Sequence, residues 1–182
     1  VMPVTTPLIK VEAVRALGAK VVLSGDSFDE AAVRAAALIE AEGLTFIHPF
    51  DDPDVIAGQG TVAVELVRQA SRPLDYIFVC CGGGGLLAGM ATYLRYVWPQ
   101  TKIIGVEPED AACVQAALHK GRRVTLREVG LFADGCAVAQ VGKEPFRLIR
   151  ESVDDVITVS TDEICAAVKD IFEDTRAIAE PA

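Results

Sequence analysis

Four consecutive glycines, Gly82–Gly85, stand between two stretches of different periodicity. Before them, the short apolar run Tyr76–Cys81 predicts a buried strand. After them, apolar residues between Leu86 and Val97 recur at helical spacing. Glycines let a ligand approach the main chain, and the N–H groups and dipole of a helix start attract anions. The pattern therefore predicts a phosphate site, although a glycine turn without a ligand would look the same. The residues expected to bind the phosphate are Gly82, Gly83, Gly84, Gly85 and Leu86.

The loop alone does not identify the phosphate compound. It lacks the Gly-Lys-Ser/Thr ending of a nucleotide-binding P-loop. A loose dinucleotide pattern runs through Gly83, Gly85 and Ala88, and Glu107 lies at the end of the next apolar run, where a ribose-binding acid would stand. A dinucleotide-binding oxidoreductase domain is therefore one alternative, and a non-catalytic binding or regulatory module is another.

Other reactive side chains give weaker signals. Glu107, Glu109 and Asp110 could bind a cation at a strand end, but such carboxylates are more typical of a solvated helix start. The five cysteines are odd in number and form no Cys-x-x-Cys pair, which favours reduced thiols in a cytosolic protein. Cys80 and Cys81 are interpreted as small core residues. With only two histidines, we expect no metal site.

Composition narrows the class of protein. The chain has 182 residues, of which 51% are hydrophobic and 24% charged, as in a globular protein of one or two domains. The net charge is −9 and no basic run occurs, so nucleic acid is not expected as a partner. No apolar stretch reaches the length of a membrane span, so no membrane partner is expected either.

The elements that must position the loop alternate between strand and helix, which favours an α/β fold with a parallel sheet. Capping boxes are predicted at Ser27 and Ser160, a cap by Asp52 for a helix that begins at Pro53, and a helix opened by Thr6 and Pro7. The other predicted strands are Ala19–Leu23, Leu44–Ile47, Lys102–Val106 and Asp155–Val159.

Seven segments, taken together and in order, resemble one family. They are Val1-Met-Pro-Val-Thr-Thr-Pro7, His48-Pro-Phe-Asp-Asp-Pro53, Ala57-Gly-Gln-Gly-Thr61, Gly82-Gly-Gly-Gly-Leu86, Gly105-Val-Glu-Pro-Glu-Asp-Ala-Ala112, Gly130-Leu-Phe-Ala-Asp-Gly135 and Ala179-Glu-Pro181. The set is similar to the biosynthetic threonine dehydratases (threonine ammonia-lyases). Serine racemases and serine dehydratases share the outline and are an alternative. Cys80-Cys81 replaces the family's usual Pro-Val, and Cys136 replaces its usual valine.

The resemblance implies a fold type II pyridoxal-phosphate enzyme of the tryptophan-synthase-β class, with a three-layer αβα parallel sheet. Residues 1–45 would be the second part of the small α/β domain, and residues 46–182 part of the large cofactor-binding domain. Gly82–Leu86 would hold the phosphate of pyridoxal 5'-phosphate. The implied reaction converts L-threonine to 2-oxobutanoate and ammonia for isoleucine biosynthesis, in a cytoplasmic homo-oligomer, a tetramer in the family.

The family's cofactor-bearing lysine belongs to a Ser-Phe-Lys-x-Arg-Gly-Ala motif, which this sequence does not contain. We therefore expect no catalytic residue in this chain, and interpret it as an interior piece of a longer enzyme that is incomplete and inactive alone. We also expect a side chain at Gly84 to weaken cofactor binding more than it weakens the fold.

Overall fold

The computed structural model describes residues 1–182. The chain divides into two compact units, Val1–Ile47 and His48–Ala182. None of its helices combines the length and hydropathy required to cross a membrane. The elements are α1 (Leu8–Ala16), α2 (Phe28–Glu42), α3 (Pro53–Gln69), β1 (Tyr76–Cys80), α4 (Gly85–Val97), β2 (Lys102–Pro108), α5 (Cys113–Lys120), α6 (Lys143–Ser152), β3 (Asp155–Val159) and α7 (Thr161–Thr175), with short 3-10 turns at Glu109–Ala111 and Asp134–Cys136.

The first unit contains two helices and a single parallel bridge, between Met2 and Leu23. The strand predicted for Ala19–Leu23 is therefore wrong beyond that bridge, and the strand predicted for Leu44–Ile47 is wrong altogether. A strand persists only where a neighbouring segment completes its hydrogen-bond ladder, and Met2 is the only pairing residue that this unit provides. An apolar run shows that a segment can be buried, but it does not supply the partner.

Local chemistry explains most helix ends. Ser27 accepts a hydrogen bond from the Glu30 N–H group, but Glu30 accepts from the N–H of Asp26, so the predicted reciprocal capping box is only half formed. The Ser160 box is complete. Asp52 caps α3 as predicted, with Pro53 in its first turn. Helix α1 begins one residue later than predicted, because Pro7 rather than Thr6 occupies the capping position.

The second unit is built on a three-stranded parallel sheet in the order β1-β2-β3. Phe78 pairs with Ile104, which pairs with Asp155. Side chains alternate between two faces along each strand. On one face, Ile77, Val79, Ile103 and Val156 are buried in the same core as residues of α4, α5 and α6.

The opposite face of the sheet is open over much of its area. Tyr76 and Phe78 stack on each other there and are 59% and 62% exposed. Helix α7 lies near the carboxyl end of this face, where it lines a cavity with Cys80, Val106 and Val159. The predicted α/β class and parallel sheet are confirmed. Parallel sheets are normally covered on both faces, so the αβα layering is incomplete in these 182 residues.

Helices α3 and α4 cross with their backbones in contact. A Cβ atom added to Gly89 would lie 2.3 Å from the carbonyl oxygen of Ile56 and 2.7 Å from the nitrogen of Gly60. Gly60 is buried and Gly58 has open space around it, so of the two α3 glycines only Gly60 is required by packing. This contact fixes α4 against α3, and with it the end of α4 that carries the glycine loop.

Candidate functional site

The glycine loop connects the carboxyl end of β1 to the first turn of α4. The ladder continues one residue past β1, where the Cys81 N–H group donates to the carbonyl of Val106 at 2.9 Å. Gly82 and Gly83 follow, and Gly84 adopts the left-handed conformation with φ 92° at the start of the helix. Only glycine adopts this conformation without strain, so Gly84 sets the angle between the strand and the helix.

The main-chain donors of the loop have no acceptor within the chain. No side chain caps α4, and Ala88 is the first residue after Cys81 whose N–H group is bonded, to the carbonyl of Gly84 at 2.9 Å. The N–H groups of residues 82–87 donate no hydrogen bond. Helix N-termini with open donors and a positive dipole end are ready-made sites for phosphate and carboxylate groups. The arrangement can therefore bind an anion through the main chain.

Each glycine of the loop is also required by a neighbouring group of the protein. A Cβ atom on Gly83 would lie 2.4 Å from the ring of Phe50, and one on Gly82 would lie 2.9 Å from the Cα of Cys136. On Gly84 it would lie 2.9 Å from the Cβ of Pro145. Positive φ and close packing both oppose a side chain at Gly84, so a substitution there would also strain the fold. That it would weaken cofactor binding more than the fold stays a prediction. Packing alone explains the glycines, so the evidence for an anion site is the set of main-chain N–H groups without acceptors.

The segment 48–53 holds the loop from outside. His48 Nδ1 accepts hydrogen bonds from the N–H groups of Phe50 at 3.3 Å and Asp51 at 2.9 Å, and its ring meets the Phe50 ring edge-on at 4.6 Å. The Asp51 carboxylate accepts from the N–H groups of Lys143 at 2.7 Å and Glu144 at 2.9 Å, so it caps α6 across the fold. Sequence reasoning missed this cap, because 92 residues separate Asp51 from Lys143.

Helix α6 is in turn tied directly to the glycine loop. The N–H group of Gly142, at the start of α6, donates to the carbonyl of Gly83 at 3.0 Å. The Gly83 carbonyl is therefore fixed by α6, and the Phe50 ring that packs against Gly83 is fixed by the 48–53 segment. The loop is held by backbone contacts with two other parts of the unit, so its donors are preorganised.

Glu107 has a structural role rather than a ribose-binding one. Its side chain is fully buried, and its two oxygens accept hydrogen bonds from the N–H groups of Val114 and Gln115, both at 2.8 Å. Both lie in the first turn of α5, so Glu107 stabilises that helix start. Burial raises the pKa of Glu107 to about 7, although these hydrogen bonds oppose the shift. The acid on which the dinucleotide hypothesis depends is thus already engaged.

The three carboxylates after β2 do not converge. Glu109 and Asp110 are exposed, whereas Glu107 is buried against α5. No group of three or more histidine, cysteine, aspartate or glutamate side chains is arranged to hold a metal ion.

Four of the five cysteines gather around the glycine loop, which the sequence did not indicate. Cys81 and Cys113 are buried, and their thiols donate to the carbonyl of Gly82 at 3.9 and 3.5 Å. Cys80 and Cys136 lie together on the other side of the strand and line a cavity of about 230 Å³ with α7 and residues 179–182. A sequence signal existed, because Cys80 and Cys136 both stand at positions where the resembled family has other residues.

Comparison with known proteins identifies the class. Residues 1–182 match the family model described as pyridoxal-phosphate dependent enzyme. The chain is 59% identical over 182 residues to the biosynthetic, chloroplastic threonine dehydratase of Arabidopsis thaliana, covering 100% of this chain and 31% of that protein. It superposes with a TM-score of 0.91 on the processed form of threonine deaminase isoform 2 from Solanum lycopersicum, with 50% identity and coverage of 99% and 52%.

A serine racemase from Dictyostelium discoideum also shares the fold, with a TM-score of 0.84, 35% identity, and coverage of 100% of this chain and 58% of that one. The chain therefore spans about a third of the length of the curated relative and about half of the solved chains.

Proposed function

Because the chain belongs to the family of pyridoxal-phosphate-dependent enzymes, we propose that it forms part of the catalytic region of a threonine dehydratase. The whole enzyme would convert L-threonine to 2-oxobutanoate and ammonia, a step of isoleucine biosynthesis. The observation that carries the proposal is the 59% identity to a biosynthetic threonine dehydratase across all 182 residues.

The proposed cofactor site is the glycine loop. Its open N–H groups at a helix start suit a phosphate, so Gly82, Gly83, Gly84, Gly85 and Leu86 would hold the phosphate of pyridoxal 5'-phosphate through the main chain. When bound, the cofactor delocalises the negative charge that develops on the substrate's α-carbon. The contribution of this chain is to bind and orient the phosphate, while the Asp51 cap and the Gly142–Gly83 hydrogen bond keep the donors in place.

We propose the same domain assignment as the sequence analysis, with residues 1–45 in the small domain and residues 46–182 in the large cofactor-binding domain. The division of the chain between Ile47 and His48 supports it. We further propose a homo-oligomeric, cytoplasmic enzyme. Five cysteines without a disulfide support a reducing compartment, whereas the name of the Arabidopsis thaliana relative specifies the chloroplast, so fractionation of the source cells is the test of location.

The activity is tested on the full-length protein that contains these residues. With pyridoxal phosphate, we expect faster release of oxo acid from threonine than from serine. Formation of D-serine without release of oxo acid would instead favour the racemase alternative. No cofactor-dependent reaction of either amino acid would overturn the assignment. The 182-residue chain alone is expected to release no oxo acid, because it lacks the lysine motif.

The phosphate site is tested by a matched pair at Leu86, which is half-buried in the first turn of α4 and has an ordinary helical backbone. In the full-length protein, Leu86→Asp and Leu86→Asn lose the same packing, but only aspartate adds a negative charge beside the loop donors. At an effective dielectric constant of about 20 to 40, the repulsion should cost on the order of 1–2 kcal/mol, or about tenfold in cofactor affinity relative to the asparagine variant.

Aspartate near a helix N-terminus does not destabilise the helix, so the two variants should have similar melting temperatures. Equal cofactor affinity of the two folded variants would show that the phosphate does not bind at this loop.

A further inference from the structure

Cys80 and Cys136 meet on one side of the end of β1. Side chains alternate along a strand, so the Cys80 side chain and a Cβ atom built on Gly82 lie on the same side of the extended chain. A Cβ atom on Gly82 would lie 2.9 Å from the Cα of Cys136, which places the turn at 134–136 on the side of Cys80. Both side chains line the same cavity beside α7. Cys80 is exposed, whereas Cys136 is buried behind it.

Cys81 and Cys113 form a second close pair on the opposite side of the strand, and it provides an internal comparison. Their thiols both donate to the carbonyl of Gly82, and both side chains are buried. Burial raises the pKa of Cys113 to about 12, and burial also raises the pKa of Cys81. These thiols are therefore protonated and inaccessible, and such cysteines are inert.

We propose that Cys80 and Cys136 form a reversible disulfide when the protein meets hydrogen peroxide. The Cys80 thiolate attacks one peroxide oxygen, the O–O bond breaks, and with one proton the products are a Cys80 sulfenic acid and water. The Cys136 sulfur then attacks the Cys80 sulfur and displaces the hydroxyl group, which leaves as a second water with the Cys136 proton. Two thiols are oxidised by two electrons, and one peroxide is reduced to two waters.

The chemistry of the site favours Cys80 as the attacking residue. Interaction with the Cys136 side chain lowers the pKa of Cys80, although burial and Glu180 oppose the shift, and the same interaction raises the pKa of Cys136. An exposed thiol with a low pKa, beside a second cysteine that can resolve it, is the arrangement of peroxide-sensitive cysteines. Glu163 and Glu180 also line the adjoining cavity, so a neutral oxidant enters more readily than an anionic disulfide.

The disulfide would link the end of β1 to the 134–136 turn directly beside Gly82. Formation of the disulfide can therefore shift Gly82, the first residue of the glycine loop. The proposal does not depend on which phosphate compound the loop binds, so its failure would leave the proposed function intact.

The test uses the full-length protein, treated with hydrogen peroxide, alkylated at its remaining thiols and digested with trypsin. Cys80 and Cys81 fall in the same tryptic peptide, so variants must separate them. We expect one cross-link between this peptide and the one that contains Cys136, with loss of two hydrogen atoms and reversal by dithiothreitol.

The cross-link should disappear in Cys80→Ala and in Cys136→Val, and it should persist in Cys81→Ala and Cys113→Ala. Cys136→Val keeps a small apolar side chain and covers the case in which Cys80→Ala fails to fold. A cross-link that survives in Cys80→Ala or Cys136→Val, or Cys80 oxidised beyond the sulfenic acid with Cys136 still free, would overturn the proposal.

Discussion

The contact between α3 and α4 gives the sharpest prediction, because it is made by backbone atoms. In Gly89→Ala, the new methyl group would lie 2.3 Å from the Ile56 carbonyl oxygen and 2.7 Å from the Gly60 nitrogen. No side chain can rotate away, so the two helices must separate by roughly 1 Å to restore ordinary van der Waals contact.

The cost has two opposing parts. Forcing a methyl group into a packed interface typically costs about 1–3 kcal/mol, and rigid backbone on both sides places this site at the upper end. Replacing glycine by alanine within a helix returns about 0.5–1 kcal/mol. We therefore expect Gly89→Ala to lower the free energy of unfolding by about 2 kcal/mol, which corresponds to a fall in Tm of roughly 4–8 °C for a chain of this size.

The two glycines of α3 provide graded controls. Gly58 has no atom within 4 Å of an added Cβ, so Gly58→Ala should stabilise the protein by about 0.5–1 kcal/mol. At Gly60 the nearest atom, the Gly89 oxygen, is at 3.1 Å, so Gly60→Ala should fall between the other two. Urea and thermal unfolding of the three variants measure the order. If Gly89→Ala proves as stable as Gly58→Ala, the backbone contact does not limit this interface.

Three further predictions concern carboxylates. Asp51→Ala removes the cap of α6 and should lower the free energy of unfolding by about 1–2 kcal/mol in denaturant titrations, whereas Asp51→Asn should recover part of the loss. Burial raises the pKa of Glu107 from 4.5 to about 7, so the native state holds this proton more tightly than the unfolded state does. The free energy of unfolding should therefore fall by on the order of 3 kcal/mol as the pH rises through that window. The Glu107→Gln variant should lose this slope, and an unchanged slope would contradict the assignment. Burial alone would raise the pKa of Asp154, but hydrogen bonds from the Ile103 N–H, Lys102 and Arg95 lower it from 3.8 to about 2. The contribution of Asp154 to the free energy of unfolding, on the order of 1 kcal/mol, should therefore be lost as the pH falls through this range. The Asp154→Asn variant should lack this pH dependence.

Local patterns in the sequence were sufficient for the central elements. The apolar runs around Phe78, Ile104 and Val156 predicted the three strands that form the sheet, because each is long enough to be buried and is flanked by turn residues. Asp52 and Ser160 predicted helix starts correctly, because each cap joins residues only two or three apart. The family resemblance likewise depended on short segments in a fixed order.

Tertiary structure decided the features that depend on partners distant in the chain. Leu44–Ile47 had strand-like residues but no ladder partner, and Ala19–Leu23 had only the single bridge to Met2. Pairing rather than composition makes a strand.

The environments of several single residues were also invisible in the sequence. Glu107 stood where a ribose-binding acid would stand, yet the α5 N–H groups occupy both of its oxygens. The sequence did not show that Gly84 packs against Pro145. Cys80 and Cys136 became a pair only because the chain folds the 134–136 turn back onto β1. The sequence alone thus determined the three strands of the sheet, the helix starts at Asp52 and Ser160, and the glycine loop. Only the tertiary structure determined which side chains meet there, because those contacts arise from packing between residues far apart in the chain.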